Sequence, residues 1–457
     1  MGAAHGMHGG GAGTTADGDI TARASVTPAY VAPAEHASRN GRLDVTLTAA
    51  DGMVPYNGGE RWAMTYNGDI TGPTIRVRPG DRLRITLIND LQEPTSLHTH
   101  GLHVNPDGDG DNPFLTIAPG ERHTYVYDIP RSQQPGTFWY HPHAHGLVAK
   151  QVNLGLEGAI IVDGPVDAEL AKATTERILV VTDPPLVTQD PWPVDGHSAN
   201  VDMMTAMMGR SGERLLTNGA DGVQVVPTGA LERVRLVNAT ASTQLRFTWT
   251  GARMLALASE GGRLSKPQAM TSIVLTAGER TEVVLVPGAD GGQLVAQRVS
   301  QEGTGAVEER RTLIADVVAG ASTDTRVLPA TLGADDRDLF AADVKIAKRR
   351  TIRLTGHMQP LIDGRPFDAN TVNVQARRGT IEEWTIVSES PMDHPIHLHV
   401  WPFQVRGQAG WHDIVQVPAG TTQVIRVAFE DIAGTTVIHC HILDHEDTGM
   451  MAVIKVS

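Results

Sequence analysis

The sequence predicts an all-β protein made of three consecutive antiparallel β-sandwiches of Greek-key type. Two observations carry that expectation: a turn-and-strand pattern that returns at a fixed spacing, and strict two-residue alternation of apolar side chains inside each copy. Composition agrees. Aromatics make up only 4% of the 457 residues, Gly is abundant at 48, and Val and Thr are frequent, which suits strands joined by many turns.

The repeat is visible in "VRPGDRLRITLIN", "VPTGALERVRLVN" and "ARRGTIEEWTIVS", whose glycines are Gly80, Gly229 and Gly379, separated by 149 and 150 residues. Five and seven positions after each glycine stand Ile85 and Leu87, Val234 and Leu236, and Trp384 and Ile386. In a strand such positions share one face, so each copy reads as half-buried. A second turn follows each copy, "PGERHTYVY", "AGERTEVVL" or "AGTTQVIRV", and opens another alternating strand. Helical stretches such as "VDAELAKATTERI" read as connectors. The spacing divides the chain into a flexible Gly-rich tail and lead-in strand (1–40) and three domains, 41–168, 169–330 and 331–457.

The formal charge of −14 argues against nucleic acid as a partner, because phosphates attract Lys and Arg. No apolar run approaches the roughly 18 residues of a membrane span. One cysteine, Cys440, excludes an internal disulfide.

The histidines keep the register of the repeat. His98 and His397 each lie 18 residues after the glycine of their copy, so "LHTHG" corresponds to "IHLHV". His141 and His439 each lie five residues after Gly136 and Gly434, so "YHPHAHG" corresponds to "IHCHILDH". The central copy has Phe247 and Trp249 where the outer copies have histidines, as a spacer would. Ten of the 19 histidines fall in 98–100, 141–143, 394–399 and 439–445, where random placement would put fewer than one. Four His-x-His pairs in two related domains are a strong metal signal. Alternation aims His98 with His100, His141 with His143, His397 with His399 and His439 with His441, so two facing domains can bring eight imidazoles to one centre. Imidazole alone leaves copper, zinc and iron open.

Cys440 narrows the choice. It points to the opposite face from His439 and His441, and a thiolate with two imidazoles and a weak axial thioether is the ligand set of a blue copper electron-transfer site. His394, His445 and Met450 are the candidates to complete it. The strand around Cys440 would then serve two metal centres on its two faces, on the order of 10 Å apart.

At "HTHG", "HPH", "HPIHLH" and "HCHILDHEDTGM" the chain resembles the bacterial three-domain, laccase-like multicopper oxidases, from about residue 40 to the end. That resemblance implies three cupredoxin domains and four coppers per chain. It places a type 1 copper on His394, Cys440, His445 and axially Met450, with Met451 the axial rival. It places a type 2 copper on His98 and His397, and a type 3 pair on His100, His141, His143, His399, His439 and His441. The reaction implied is one-electron oxidation of a reducing substrate, a phenol or aromatic amine or an ion such as Cu(I), Fe(II) or Mn(II), coupled to four-electron reduction of O2 to water. Glu446 resembles the family's proton-relay acid, and a second acid is expected in "NPDGDGDNPF", as Asp109 or Asp111. The offset from His98 favours Asp109. The resemblance also implies an extracytoplasmic location, periplasmic, cell-wall or secreted, with an export signal that this sequence does not display. With both cluster-forming domains on one chain, a monomer is expected.

Other features have plainer readings. Met203, Met204, Met207 and Met208 are packing residues by default and a thioether patch for Cu(I) in the sharper reading. His5, Met7 and His8 belong to the tail, and His145 continues the spacing of His141 and His143 but aligns with Leu443. His103, His123, His357 and His412 read as ordinary, and Asp393 as a partner of His394 or of a cationic substrate. Two competing functions are a non-catalytic copper-binding scaffold and a copper nitrite reductase. Neither needs eight imidazoles in four complete pairs.

Overall fold

Strands dominate the computed structural model, which describes residues 27–191, 203–228, 231–319, 327–356 and 359–457. Among the described residues the strands form six sheets, two for each of three cupredoxin-like sandwiches.

Each copy of the repeat builds the same unit. The motif strands are Arg82–Asn89, Leu231–Asn238 and Thr380–Ser388. Each pairs antiparallel with the strand after the second turn: Arg122–Asp128, Arg280–Val286 and Thr422–Phe429. On its other side each pairs with a leading strand, Arg42–Tyr56, Thr174–Thr182 or Ile346–Thr355. That second pairing is parallel, a departure from a purely antiparallel sandwich. A parallel neighbour requires a long crossover, and here the connection runs through the facing sheet before returning. The alternation holds as read: Ile85, Leu87, Val234, Leu236, Trp384 and Ile386 are all at most 2% exposed. Gly80 and Gly379 take φ of +95° and +80°, which only glycine adopts freely at such turns. Gly229 lies outside the described residues.

Each sandwich has its own apolar core. A further cluster, including Trp139, Val148, Val152, Val180, Val237 and Leu443, packs residues of all three sandwiches together. The connector expected from "VDAELAKATTERI" is a helix only over Pro165–Ala173. At Thr174, whose Oγ1 donates to the Leu170 carbonyl, the chain turns into the leading strand of the central sandwich. The β-branched pair Thr174–Thr175 suits that change. No helix among the described residues is long and apolar enough to cross a membrane.

Candidate metal centres

The last sandwich positions its ligands by register. Strands His394–Leu398 and Gly434–Cys440 are antiparallel neighbours in which His397 faces His439 and Ile396 faces Cys440. One face of this sheet therefore carries His397, His399, His439 and His441, and the other carries His394, Ile396 and Cys440. Cys440 belongs to the sandwich's own core. The histidine face looks outward, onto the first sandwich, where His98 pairs with His141 across two strands.

The eight imidazoles meet between the outer sandwiches and are all at most 2% exposed. Rings from the two ends of the chain stack, His98 on His399 and His100 on His397, each with centroids 3.8 Å apart. Burial, and then the neighbouring rings, holds His98, His397 and His441 well below the usual imidazole range. For His100 and His399, too, burial comes first in a shift of the same direction. Burial likewise lowers His141, to about 3. Neutral rings with free lone pairs are the form that binds a metal.

The hydrogen bonds say which nitrogen is free. His397 Nδ1 lies 2.8 Å from the Asp413 carbonyl, His141 Nδ1 2.8 Å from the Pro142 carbonyl, and His439 Nδ1 3.1 Å from the Cys440 carbonyl. A carbonyl only accepts, so each of these nitrogens carries the proton and each Nε2 bears a lone pair. His98 Nδ1 is held in the same way, 2.9 Å from Asp111 Oδ2. Yet His98 Nε2 faces His397 Nε2 at 3.3 Å, and His439 Nε2 faces His399 Nε2 at 3.1 Å and His143 Nε2 at 3.5 Å. Among the described residues His141 Nε2 has no hydrogen-bond partner. Lone pairs buried nose to nose, as on His98 and His397, repel unless a cation lies among them, and ligand atoms 3–3.5 Å apart suit metal–ligand bonds of about 2.0–2.3 Å. The residues present fit copper ions.

The second centre has the same character. Cys440 Sγ lies 3.5 Å from His394 Nδ1 and 3.6 Å from His445 Nδ1. His445 donates through Nε2 to the Met207 carbonyl at 2.9 Å, leaving Nδ1 free to face the sulfur. Burial lowers His394 to about 3 and His445 to about 4, and pushes the Cys440 thiol up. A soft cation that displaces the thiol proton satisfies this set, as at blue copper sites. Met450 is fully buried in the core that holds Cys440, and its carbonyl accepts from the Cys440 N–H. Met451 pairs with His439 and so shares the opposite face.

The acids separate clearly. Asp111 is 2% exposed, and beyond its bond to His98 it lies 3.6 Å from His399 Nδ1. Asp109, favoured by its offset, is instead on the surface: its side chain is 67% exposed and faces His123 at 3.4 Å. The two share a loop, where alternation gives no guide to direction. Glu446 is fully buried, with Oε2 3.0 Å from His439 Nδ1 and Oε1 3.3 Å from His143 Nε2. Asp393 accepts from the Ala419 N–H, tying its loop to the turn that starts at Pro418, and is too buried to meet a substrate. His145 packs edge-on against Phe367, outside the cluster. Of the methionine group, the backbone of Met203–Met208 is a helix, with Met207 and Met208 partly exposed. His5, Met7, His8 and His357 lie outside the described residues. The sequence reading missed Asp413, whose only signal was its place beside His412 in "WHDIVQV". Its Oδ1 lies 3.2 Å from His100 Nε2.

Known proteins extend these findings. A family model described as multicopper oxidase matches residues 48–167, and a second of the same description matches 341–457, together just over half of the chain. The multicopper oxidase mco of Staphylococcus haemolyticus is 29% identical over 434 residues, covering 92% of this chain and 89% of that protein. The cell division protein FtsP of Dickeya dadantii is 28% identical, covering 85% of this chain and 84% of that one. Among solved structures, a multicopper oxidase from Campylobacter jejuni, described as a metallo-oxidase, superposes with a TM-score of 0.80 at 26% identity over 94% of this chain and 96% of that one. The two matched stretches contain every histidine of both centres together with Cys440 and Met450, and the chain belongs to the multicopper oxidases.

Proposed function

We propose that the chain holds four coppers and couples one-electron oxidation of a small reducing substrate to reduction of O2 to water. The family makes it an oxidoreductase that works with copper. The assignment supported by the geometry puts a type 1 copper on His394, Cys440, His445 and Met450. A type 2 copper would take His98 and His397, and a type 3 pair would take His100, His141, His143, His399, His439 and His441. The observation that carries this reading is the set of facing, buried ring nitrogens on one side of a strand whose next side chain, Cys440, enters a separate cluster. Copper in these two centres would supply one-electron redox chemistry at the first and four-electron chemistry with O2 at the second.

The chain's own residues do the rest. Cys440 is joined by a single peptide unit to each of His439 and His441, the shortest covalent link between the centres. Asp111 orients His98 and fixes its tautomer. Glu446, with both oxygens within 3.3 Å of the His439 and His143 rings, is placed to hold or pass a proton at the histidine cluster. Burial of all eight rings keeps bulk water from competing for the ions.

The helix Met203–Met208 covers the outer edge of His445, whose Nε2–H ends on the Met207 carbonyl. We propose Cu(I) or another metal ion as substrate, because Met207 and Met208, both partly exposed, belong to the helix that touches His445; phenols are the alternative. We further propose an extracytoplasmic location and a monomer. The test is oxygen uptake with Cu(I) and with a phenol, for the copper-loaded protein, the Cys440→Ser variant and a variant with Met203, Met204, Met207 and Met208 changed to Ser. Uptake lost in Cys440→Ser supports the oxidase. Cu(I) oxidation undiminished in the methionine variant rules out the thioether surface. A copper-loaded protein that consumes no oxygen with any reductant would leave a copper-binding scaffold.

A further inference from the structure

The central sandwich supplies no imidazole to the cluster, but it does supply a fully buried arginine. Arg280 opens the strand Arg280–Val286, two residues after Gly278. The same step after Gly120 and Gly420 gives Arg122 and Thr422 in the outer sandwiches, and both are exposed. Only in the central copy does this position turn inward.

A guanidinium has five N–H donors, and here all five are used. Nε donates to the Thr137 carbonyl of the first sandwich at 3.2 Å. Nη1 donates to the Gly278 carbonyl and to Asp413 Oδ1 at 2.8 Å. Nη2 donates to the Glu260 carbonyl and to Asp413 Oδ2 at 2.6 Å. One side chain thus ties all three sandwiches together and grips the Asp413 carboxylate with both arms, the geometry that fixes direction as well as distance. Asp413 in turn holds two cluster rings, His100 Nε2 through its carboxylate and His397 Nδ1 through its carbonyl. Space is as tight as the bonding. A Cβ on Gly101 would fall 2.4 Å from Asp413 Oδ2, and one on Gly278 would fall 2.8 Å from the His441 ring.

We infer that Arg280 is a positioning residue of the histidine cluster: through Asp413 the central sandwich sets the orientation of the His100 and His397 rings. The inference rests on the copper reading above. The central sandwich is thereby a working wall of the oxygen-side centre, with Gly278 lying against His441 and Arg280 behind Asp413. Lysine cannot replace this arginine without loss, because a point ammonium has three donors and no fork.

The experiment compares wild type with Arg280→Lys and Arg280→Met. Copper is titrated into each metal-free protein, and the loaded proteins are examined by electron paramagnetic resonance, with the visible band of the Cys440 centre as an internal control. Outer partners of metal-bound histidines typically contribute on the order of 10–100-fold to affinity. The expected result is a loss of cluster affinity of about 10-fold or more in Arg280→Met and a smaller loss in Arg280→Lys. The cluster's resonance signal shifts in both, while the visible band stays. If Arg280→Met does not fold, Arg280→Lys decides alone by the same two readouts. Lower melting temperatures with unchanged cluster affinity and an unchanged resonance signal overturn the inference, leaving Arg280 merely structural. A wild-type chain that takes up no copper overturns the copper reading and this inference with it.

Discussion

His439 and Met451 stand directly opposite each other on the last two strands, so their side chains share the face that looks onto the first sandwich. Cys440, one residue on, faces the other way, into a core that contains Met450. Met450→Leu is therefore expected to shift the visible band and raise the reduction potential of the Cys440 centre, because an axial thioether is removed. Met451→Leu leaves both unchanged. Redox titration of the visible band checks this, and a shift in Met451→Leu alone would reverse the axial assignment.

Cys440→Ser separates the two centres. The variant is expected to lose the visible band and oxygen uptake, since a hydroxyl does not replace a thiolate at a soft site. It still takes up copper at the histidines, whose lone pairs are unaltered. Metal counting beside the spectrum tests this. A variant that binds no copper at all would show that the two centres fill only together.

Asp111 and Asp109 are predicted to behave very differently. Asp111→Asn keeps the shape but weakens the hold on His98 and removes a carboxylate beside the cluster, so turnover falls on the order of 10–100-fold. Asp109→Asn, on an exposed side chain, stays close to wild type. Oxygen uptake at saturating reductant distinguishes them, and equal losses would return the role to Asp109.

A buried ion network that holds no metal ligand predicts acid sensitivity. Burial pushes Glu176 up, but Arg235, Arg76 and Arg233 outweigh it and hold the carboxyl at about 2. The folded value lies below the unfolded one, so the stabilisation is full above about 4.5 and is lost as pH falls towards 2. Its size is on the order of 3 kcal/mol. Urea unfolding at pH 7 and pH 3 should show Glu176→Gln to be clearly the weaker protein at pH 7, with its deficit against wild type cut to about half or less at pH 3. A difference that persists undiminished at pH 3 would place the effect in packing instead.

The legible parts of the chain were those governed by local periodicity. Alternation along one strand was enough to send Cys440 and its flanking histidines to opposite faces, and the repeat was enough to align the four His-x-His pairs. Asp109 and Asp111 could not be ranked in that way, because they stand two residues apart in a loop with no pleat to orient them. Arg280 and Asp413 were harder still. Each is one charged residue among many in the sequence, and their pairing exists only because three sandwiches close around them. The parallel leading strands also escaped notice, since a crossover leaves no mark on alternation.

His98 and His397 are separated by 299 residues of chain, yet their ring nitrogens face each other at 3.3 Å. A ribosome that has finished the first two sandwiches has made only half of the oxygen-side centre and none of the thiolate one. The eight rings can meet only after the last sandwich has left the ribosome and docked on the first, so any ion they share would be captured late and would register that the outer sandwiches have closed.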